Sequence, residues 1–169
     1  TAAPARCPSA PGERPGSGTG RGPTLSTMSL DPRLPVLVGA GQVTHRATSL
    51  DDALSPVELM AEACRRAAAD AGLAGVPTPQ SIRVVDLLSW RYRDPARYVA
   101  EALGVTPAET AVSTAGGNSP QSLVNATATE IAAGRLDLAF LTGAEAWRTR
   151  MRARREGVTL PWPVAPDDL

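Results

Sequence analysis

The sequence is short of several residue types, and each shortage excludes a class of function. It contains no lysine, so arginine supplies all 17 basic residues, and 17 acidic residues balance them to a net charge of zero. A chain without excess charge has no strong field for nucleic acid or a membrane surface. No apolar run approaches the roughly 20 residues that a spanning helix needs. We therefore expect no nucleic-acid partner and no membrane span.

Residues that bind metals or carry redox chemistry are also scarce. The two cysteines, Cys7 and Cys64, are far apart in the sequence and match no metal-binding spacing. The single histidine, His45, lies in a loop with no visible partner. We therefore expect no metal site and no catalytic role for His45. Two free thiols, together with the lack of an apolar signal peptide, favour a cytoplasmic protein.

Composition divides the chain into three parts. Residues 1–27 are rich in Pro, Gly, Ser, Thr and Arg, which predicts a disordered tail. Met28 fits a natural start, which would make the tail not native; a transit peptide is the alternative. Residues 28–147 carry the periodic sequence of one domain. Residues 148–169 read as the start of a loop region, so we expect 169 residues to be a piece of a larger fold.

Strand and helix patterns alternate through the central part. Apolar runs predict strands at residues 34–41, 82–90, 110–114 and 136–142. Capping residues, prolines and closing glycines predict three helices, which begin at Pro56, Pro95 and Pro120. Cys64 falls on the apolar side of the first helix and is interpreted as a core residue. The alternation predicts an α/β fold with a mostly parallel sheet and helices on both faces.

Two further motifs have a specific and a general interpretation. Residues 39–44 begin like a dinucleotide-binding loop, which would indicate a hydride-transferring enzyme. Thr44 stands where the third glycine belongs, however, and no helix pattern opens there. Residues 148–155 are an arginine run, interpreted as a solvated face with phosphate binding as the alternative.

The stretch from 110 to 125 is the candidate site. Residues 110–114 predict a buried strand, Gly116 and Gly117 permit a tight turn, and Ser119 followed by Pro120 predicts an N-cap and a first helical residue. We expect this helix to be largely buried, because apolar residues occupy more than one face. Its free N–H groups would face the carboxyl end of the strand, where open α/β sheets bind ligands. The candidate site residues are Gly116, Gly117, Asn118 and Ser119.

Residues 34–147 resemble the N-terminal half of the thiolase superfamily. The resemblance rests on the strand, the glycine turn, a helix ending in Ala133-Gly134, and the run Leu-Asp-Leu-Ala-Phe-Leu-Thr-Gly-Ala-Glu that ends at Glu145. The turn is similar to that of actinobacterial and mycobacterial thiolase-like proteins labelled acetyl-CoA acetyltransferase. The resemblance implies an incomplete thiolase-like fold. The missing C-terminal half would carry the family's histidine and second cysteine.

The resemblance implies a thiolase-like acyltransferase acting on acyl-CoA thioesters through a covalent acyl intermediate. Counting back from Ala133-Gly134 places Gly117 where the family has its nucleophilic cysteine, and glycine has no side chain to acylate. The alternative is a non-catalytic protein that binds CoA or acyl-CoA. In both cases CoA or acyl-CoA is a substrate or ligand rather than a permanent cofactor. The family also implies a homodimer or hetero-oligomer, with residues 110–114 at the interface.

Overall fold

The structure is a computed structural model that describes residues 30–165. The predicted tail, Met28 and Cys7 lie outside the described residues. Residues 31–165 belong to one compact unit. Its helices are α1 (Pro56–Asp70), α2 (Pro95–Leu103), α3 (Ser119–Ala132) and α4 (Trp147–Glu156), and its strands are β1 (Ser81–Val84), β2 (Glu109–Val112) and β3 (Ala139–Thr142).

The three strands form one parallel sheet in the order β2-β1-β3. Ser81 at the start of β1 lies opposite Glu109 on one side and Ala139 on the other. Because β1 is central, all four of its residues are buried. The predicted α/β fold with a parallel sheet is confirmed.

Local signals in the sequence set the ends of α1 and α2. Ser55 accepts a hydrogen bond from the Glu58 N–H at 3.2 Å, and the Glu58 carboxylate accepts one from the Ser55 N–H at 2.7 Å. This capping box satisfies two N–H groups that a helix start would otherwise leave free. Asp94 caps α2 through the Arg97 N–H at 2.9 Å, and Gly104 ends α2 with φ at 70°.

The apolar core lies on the face of the sheet that α1 and α2 cover. Alternate residues of a strand point to opposite faces, and Ile82 and Val84 share one face. They pack against Met60 and Cys64 of α1 and Val99 of α2, all of which are buried. Burying a side chain of this size contributes about 1.5–3 kcal/mol. This cluster is therefore the main apolar stabilisation of the described unit.

Arg83 occupies the other face of β1 and is also buried. Its guanidinium donates to Ser81 Oγ at 3.1 Å and to Thr127 Oγ1 of α3 at 3.0 Å. It also forms ion pairs with Glu109 of β2 and Glu130 of α3. Burial alone would lower the pKa of Arg83, but the hydrogen bonds to the two carboxylates outweigh it and raise that pKa. One buried cation thus joins β1, β2 and α3.

Helix α4 was not predicted, because residues 148–169 read as a loop region. Only Ala153 of this helix is buried, so the sequence lacks the repeat of apolar residues that predicts a helix. The chain after α4 turns back, where Trp90 and Trp162 make an edge-to-face contact with ring centroids 5.0 Å apart. Trp90 Nε1 also donates to the Pro163 carbonyl at 2.7 Å. These contacts form a second, smaller core cluster with Ala146, Ala153 and Leu160.

The prediction of a strand at residues 34–41 is wrong, since this stretch pairs with no strand among the described residues. Helices hold it instead. Arg33 donates to the Ile131 carbonyl at the end of α3, and the Ala40 N–H donates to Asp70 of α1 at 2.9 Å. A Cβ on Gly41 would collide with the Ala63 carbonyl oxygen of α1. We call residues 33–42 the extended segment.

Two burial predictions for the site stretch are also wrong. The strand around 110–114 is β2, an edge strand whose residues are mostly exposed. Helix α3 buries only Ser119 and Thr127, and its Val124 is 46% exposed. One side of α3 packs on Arg83 and β3, while its alanine-rich outer side has no cover among residues 30–165. Across those residues no helix is both long and apolar enough to cross a membrane.

Candidate functional site at the carboxyl edge of the sheet

Three loops meet where the parallel strands end. The Val85 N–H after β1 donates to the Thr142 carbonyl of β3, and the Ser113 N–H after β2 donates to the Val84 carbonyl of β1, both at 2.9 Å. The Asp86 N–H donates to Ser113 Oγ at 3.0 Å. The loops are therefore joined directly after the last sheet pairs, which fixes the position of the glycine turn.

The glycine turn lies between β2 and α3, as the sequence predicted. Gly116 is close to fully extended, with φ at 159°, and a Cβ there would lie 3.0 Å from Asn118 Oδ1. At Gly117, by contrast, no heavy atom lies within 4 Å of the position of a Cβ. The position of Gly117 is therefore open among residues 30–165 and has room for a side chain or a ligand atom.

Backbone donors of the turn point to anion or carbonyl binding. No hydrogen bond among residues 30–165 uses the N–H of Gly117 or Asn118. These groups precede the first turn of α3, where the helix dipole favours negative charge. The turn can therefore bind an oxygen atom that is negative or strongly polarised.

Ser119 does not have the predicted capping role. It is the first residue of α3, the N-cap position is Asn118, and no side chain caps this helix. The Ser119 hydroxyl donates instead to the Thr114 carbonyl at 2.6 Å, and the residue is buried. A carbonyl oxygen is not a general base, so this contact positions the turn without activating a nucleophile.

Hydrogen bonds made by Glu145 and Ser89, which the sequence did not predict, join the neighbouring loops. We call this set of contacts the Glu145 brace. Glu145, just after β3, accepts hydrogen bonds at 2.8 Å from the N–H groups of Leu88 and Ser89. Ser89 is buried, and its hydroxyl accepts from the Ala146 N–H at 2.9 Å. The Glu145 carboxylate is thereby occupied by backbone donors, and its role in the site is structural.

An open groove of about 560 Å³ begins at Pro120, the residue that follows the turn. Its apolar wall comes from Pro120, Leu123 and Val124 of α3 and from Leu141 of β3. Asp86 and Glu145 line its polar end. A groove with an apolar wall and a few polar groups suits a ligand with a polar head and a short hydrocarbon portion.

The remaining residues singled out in the sequence lie outside this site. His45 is exposed in the loop before α1. Burial raises the pKa of the Cys64 thiol to about 11, which keeps it protonated and unreactive near neutral pH. Within residues 30–165 no group of His, Cys, Asp and Glu side chains is arranged to hold a metal ion.

The parallel sheet, its helices and the glycine turn together define a thiolase-like α/β fold. The crystal structure of a monomeric SCP2-thiolase-like protein type 1 from Mycobacterium smegmatis is similar to this chain, with 34% sequence identity and a TM-score of 0.56. The match covers 66% of this chain and 23% of that protein, so the chain spans less than a quarter of its length. No protein-family model and no curated protein sequence matches the chain.

Proposed function

We propose that the glycine turn binds the thioester end of an acyl-CoA molecule. The observation that carries this proposal is the open position at Gly117. The N–H groups of Gly117 and Asn118 beside it donate no hydrogen bond among residues 30–165. Such donors stabilise a polarised thioester oxygen, and the dipole of α3 adds to their effect. The apolar groove along α3 and Leu141 would take the first carbons of the acyl group.

Binding without covalent catalysis suits the side chains of the turn. Gly117 offers no nucleophile, and the Ser119 hydroxyl is committed to the Thr114 carbonyl. The described residues place neither a histidine nor a cysteine at the turn. A bound thioester would therefore be held reversibly, with CoA entering and leaving as a ligand.

The second candidate is a thiolase-like acyltransferase of the acetyl-CoA acetyltransferase kind. The Ser119 hydroxyl favours it, because it is a potential nucleophile at the start of α3. This activity would require a base from residues outside 30–165 and a second half of the fold as partner. A cytoplasmic location and a homodimer or hetero-oligomer belong to the same proposal.

Calorimetric titration with acetyl-CoA tests the binding proposal. Gly117→Leu fills the open position and is expected to weaken binding at least about tenfold, since the leucine side chain occupies the space that the thioester would need. Gly75→Leu is the matched control, because a Cβ at Gly75 also meets nothing within 4 Å, in the loop between α1 and β1. Equal affinity in the two variants would contradict binding at the turn.

Incubation with radiolabelled acetyl-CoA, followed by denaturation and peptide mapping, separates the two candidates. Reversible binding predicts no label on the denatured chain. Label on Ser119 would establish an acyl-enzyme and support the acyltransferase, and Ser119→Ala should then abolish it.

A further inference from the structure

Helix α4 presents one face that has no partner among residues 30–165. At about 100° per residue, five of its residues fall on one contiguous side. All five side chains are exposed. We call the surface that they form the arginine face, and it consists of Trp147, Arg148, Met151, Arg154 and Arg155. The helix is fixed from its other side, where Ala153 is buried in the cluster with Trp90 and Trp162.

The charges of the arginine face are not neutralised within the structure. The guanidinium groups of Arg148, Arg154 and Arg155 form no ion pair or hydrogen bond among residues 30–165. The two other arginines of α4 are held by contacts within the structure. Arg150 donates to the Ser89 carbonyl at 3.2 Å, and Arg152 pairs with Glu156 at 2.8 Å. The three free cations are therefore available to a partner.

The face also carries apolar area beside its charges. Trp147 is 44% exposed and Met151 is 52% exposed, and they lie one turn apart. The guanidinium of Arg150 stands 5.4 Å from the centre of the Trp147 ring, which holds the indole in place. Tryptophan, methionine and arginine are the side chains enriched at protein interfaces, and tryptophan and arginine are common hot spots.

We propose that the arginine face is a docking site for an acidic amphipathic segment of another protein. Charge complementarity favours acidic side chains in the partner segment, and Trp147 and Met151 favour apolar residues between those acidic side chains. Two apolar side chains on a ten-residue helix are too small an area for membrane insertion. A chain with no lysine and zero net charge also lacks the broad basic surface typical of nucleic-acid binding.

Fluorescence anisotropy with the 169-residue chain tests the proposal. The probe is a labelled synthetic peptide of alternating glutamate and leucine pairs, and its control replaces every glutamate by glutamine. We expect the acidic peptide to bind and the control peptide to bind at least about tenfold more weakly. Binding should weaken as salt is added, because the three arginines are exposed.

Variants locate the binding and separate it from general charge attraction. The triple change R148Q/R154Q/R155Q should weaken binding at least about tenfold, and Trp147→Ala about threefold or more. Arg155→Gln alone should have a smaller effect, which guards against a folding defect in the triple variant. The matched control changes three exposed arginines on other parts of the surface and should bind like the unaltered chain: R93Q/R97Q/R135Q.

Four outcomes would overturn the proposal. One is equal loss in the two triple variants, and another is full binding by Trp147→Ala, which would show attraction to charge alone. The third is stronger binding to duplex DNA or to anionic phosphatidylserine vesicles than to the peptide. Competition by free CoA would likewise assign the face to phosphate binding, and this result is independent of whether acetyl-CoA binds at Gly117.

Discussion

At the scale of single residues, Arg83 is the buried side chain that joins β1 to β2 and α3. Arg83→Met keeps the buried volume but removes its hydrogen bonds to Ser81 and Thr127 and both ion pairs. Because Glu109 and Glu130 are partly exposed, their carboxylates can be rehydrated. We therefore expect a loss of about 1–3 kcal/mol in the free energy of unfolding, measured in urea.

The control for this prediction is Arg97→Met. Arg97 forms an exposed pair with Glu101 four residues along α2, and such pairs contribute only about 0.3–0.5 kcal/mol. A similar loss in both variants would mean that burial gives Arg83 no special role.

Gly117 allows a direct test of the environment of the turn. Gly117→Cys, made with Cys7→Ser, should place a thiol at the start of α3 with its pKa below the usual value of about 8.5. The pH dependence of iodoacetamide alkylation measures this pKa, and buried Cys64, whose pKa is raised to about 11, should contribute little below pH 9. Ala115→Cys in the same background is the control. Equal thiol pKa values would show that the turn does not favour an anion.

At the scale of elements, the helix starts differ in their caps. Ser55→Ala removes the side-chain half of the capping box of α1 and should cost about 1 kcal/mol in unfolding free energy. Asn118→Ala should cost much less, because the Asn118 side chain makes no cap hydrogen bond at α3. Thermal and urea denaturation of both variants measures the difference. Equal costs would contradict the assigned caps.

The extended segment should detach when its contact with α1 is blocked. Gly41→Ala places a Cβ against the Ala63 carbonyl, a backbone atom that cannot move aside cheaply. We expect a loss of about 1–3 kcal/mol or release of the segment. Hydrogen exchange of residues 36–42 measures the release. Gly75→Ala, in open space, is the control and should leave their exchange unchanged.

The helices that the sequence predicted are those with local signals. Ser55-Pro56 with Glu58, and Asp94-Pro95 with Gly104, act within a few residues, and the structure has α1 and α2 where these residues placed them. The third predicted helix is α3, which begins one residue before Pro120. The glycine turn was predicted for the same reason. Pairing and burial are not local, which is why residues 34–41 read as a strand and α3 as a buried helix. The Glu145 brace joins residues more than 50 positions apart and depends on the same non-local geometry.

At the scale of the whole molecule, exposed apolar surface should govern behaviour in solution. Leu34, Val36, Leu37 and Val38 of the extended segment are 53–87% exposed. We expect the chain to be prone to aggregation, with self-association rising with concentration in sedimentation velocity. Leu37→Gln should reduce it, whereas Leu88→Gln, an exposed leucine elsewhere that is 64% exposed, should not. A monodisperse monomer at all concentrations would contradict this prediction.

The central place of β1 has a consequence for synthesis on the ribosome. Of the three strands among residues 30–165, β1 is made first, yet its two neighbours are β2 and β3, and β3 is made last. Until Thr142 has left the exit tunnel, one edge of β1 has no partner. Arg83 likewise cannot form its ion pair with Glu130 until α3 has emerged. Between the synthesis of β2 and that of β3, the nascent chain therefore carries a central strand with one unpaired edge. During that interval its solubility depends on α1 and α2, which can cover Ile82 and Val84 beforehand.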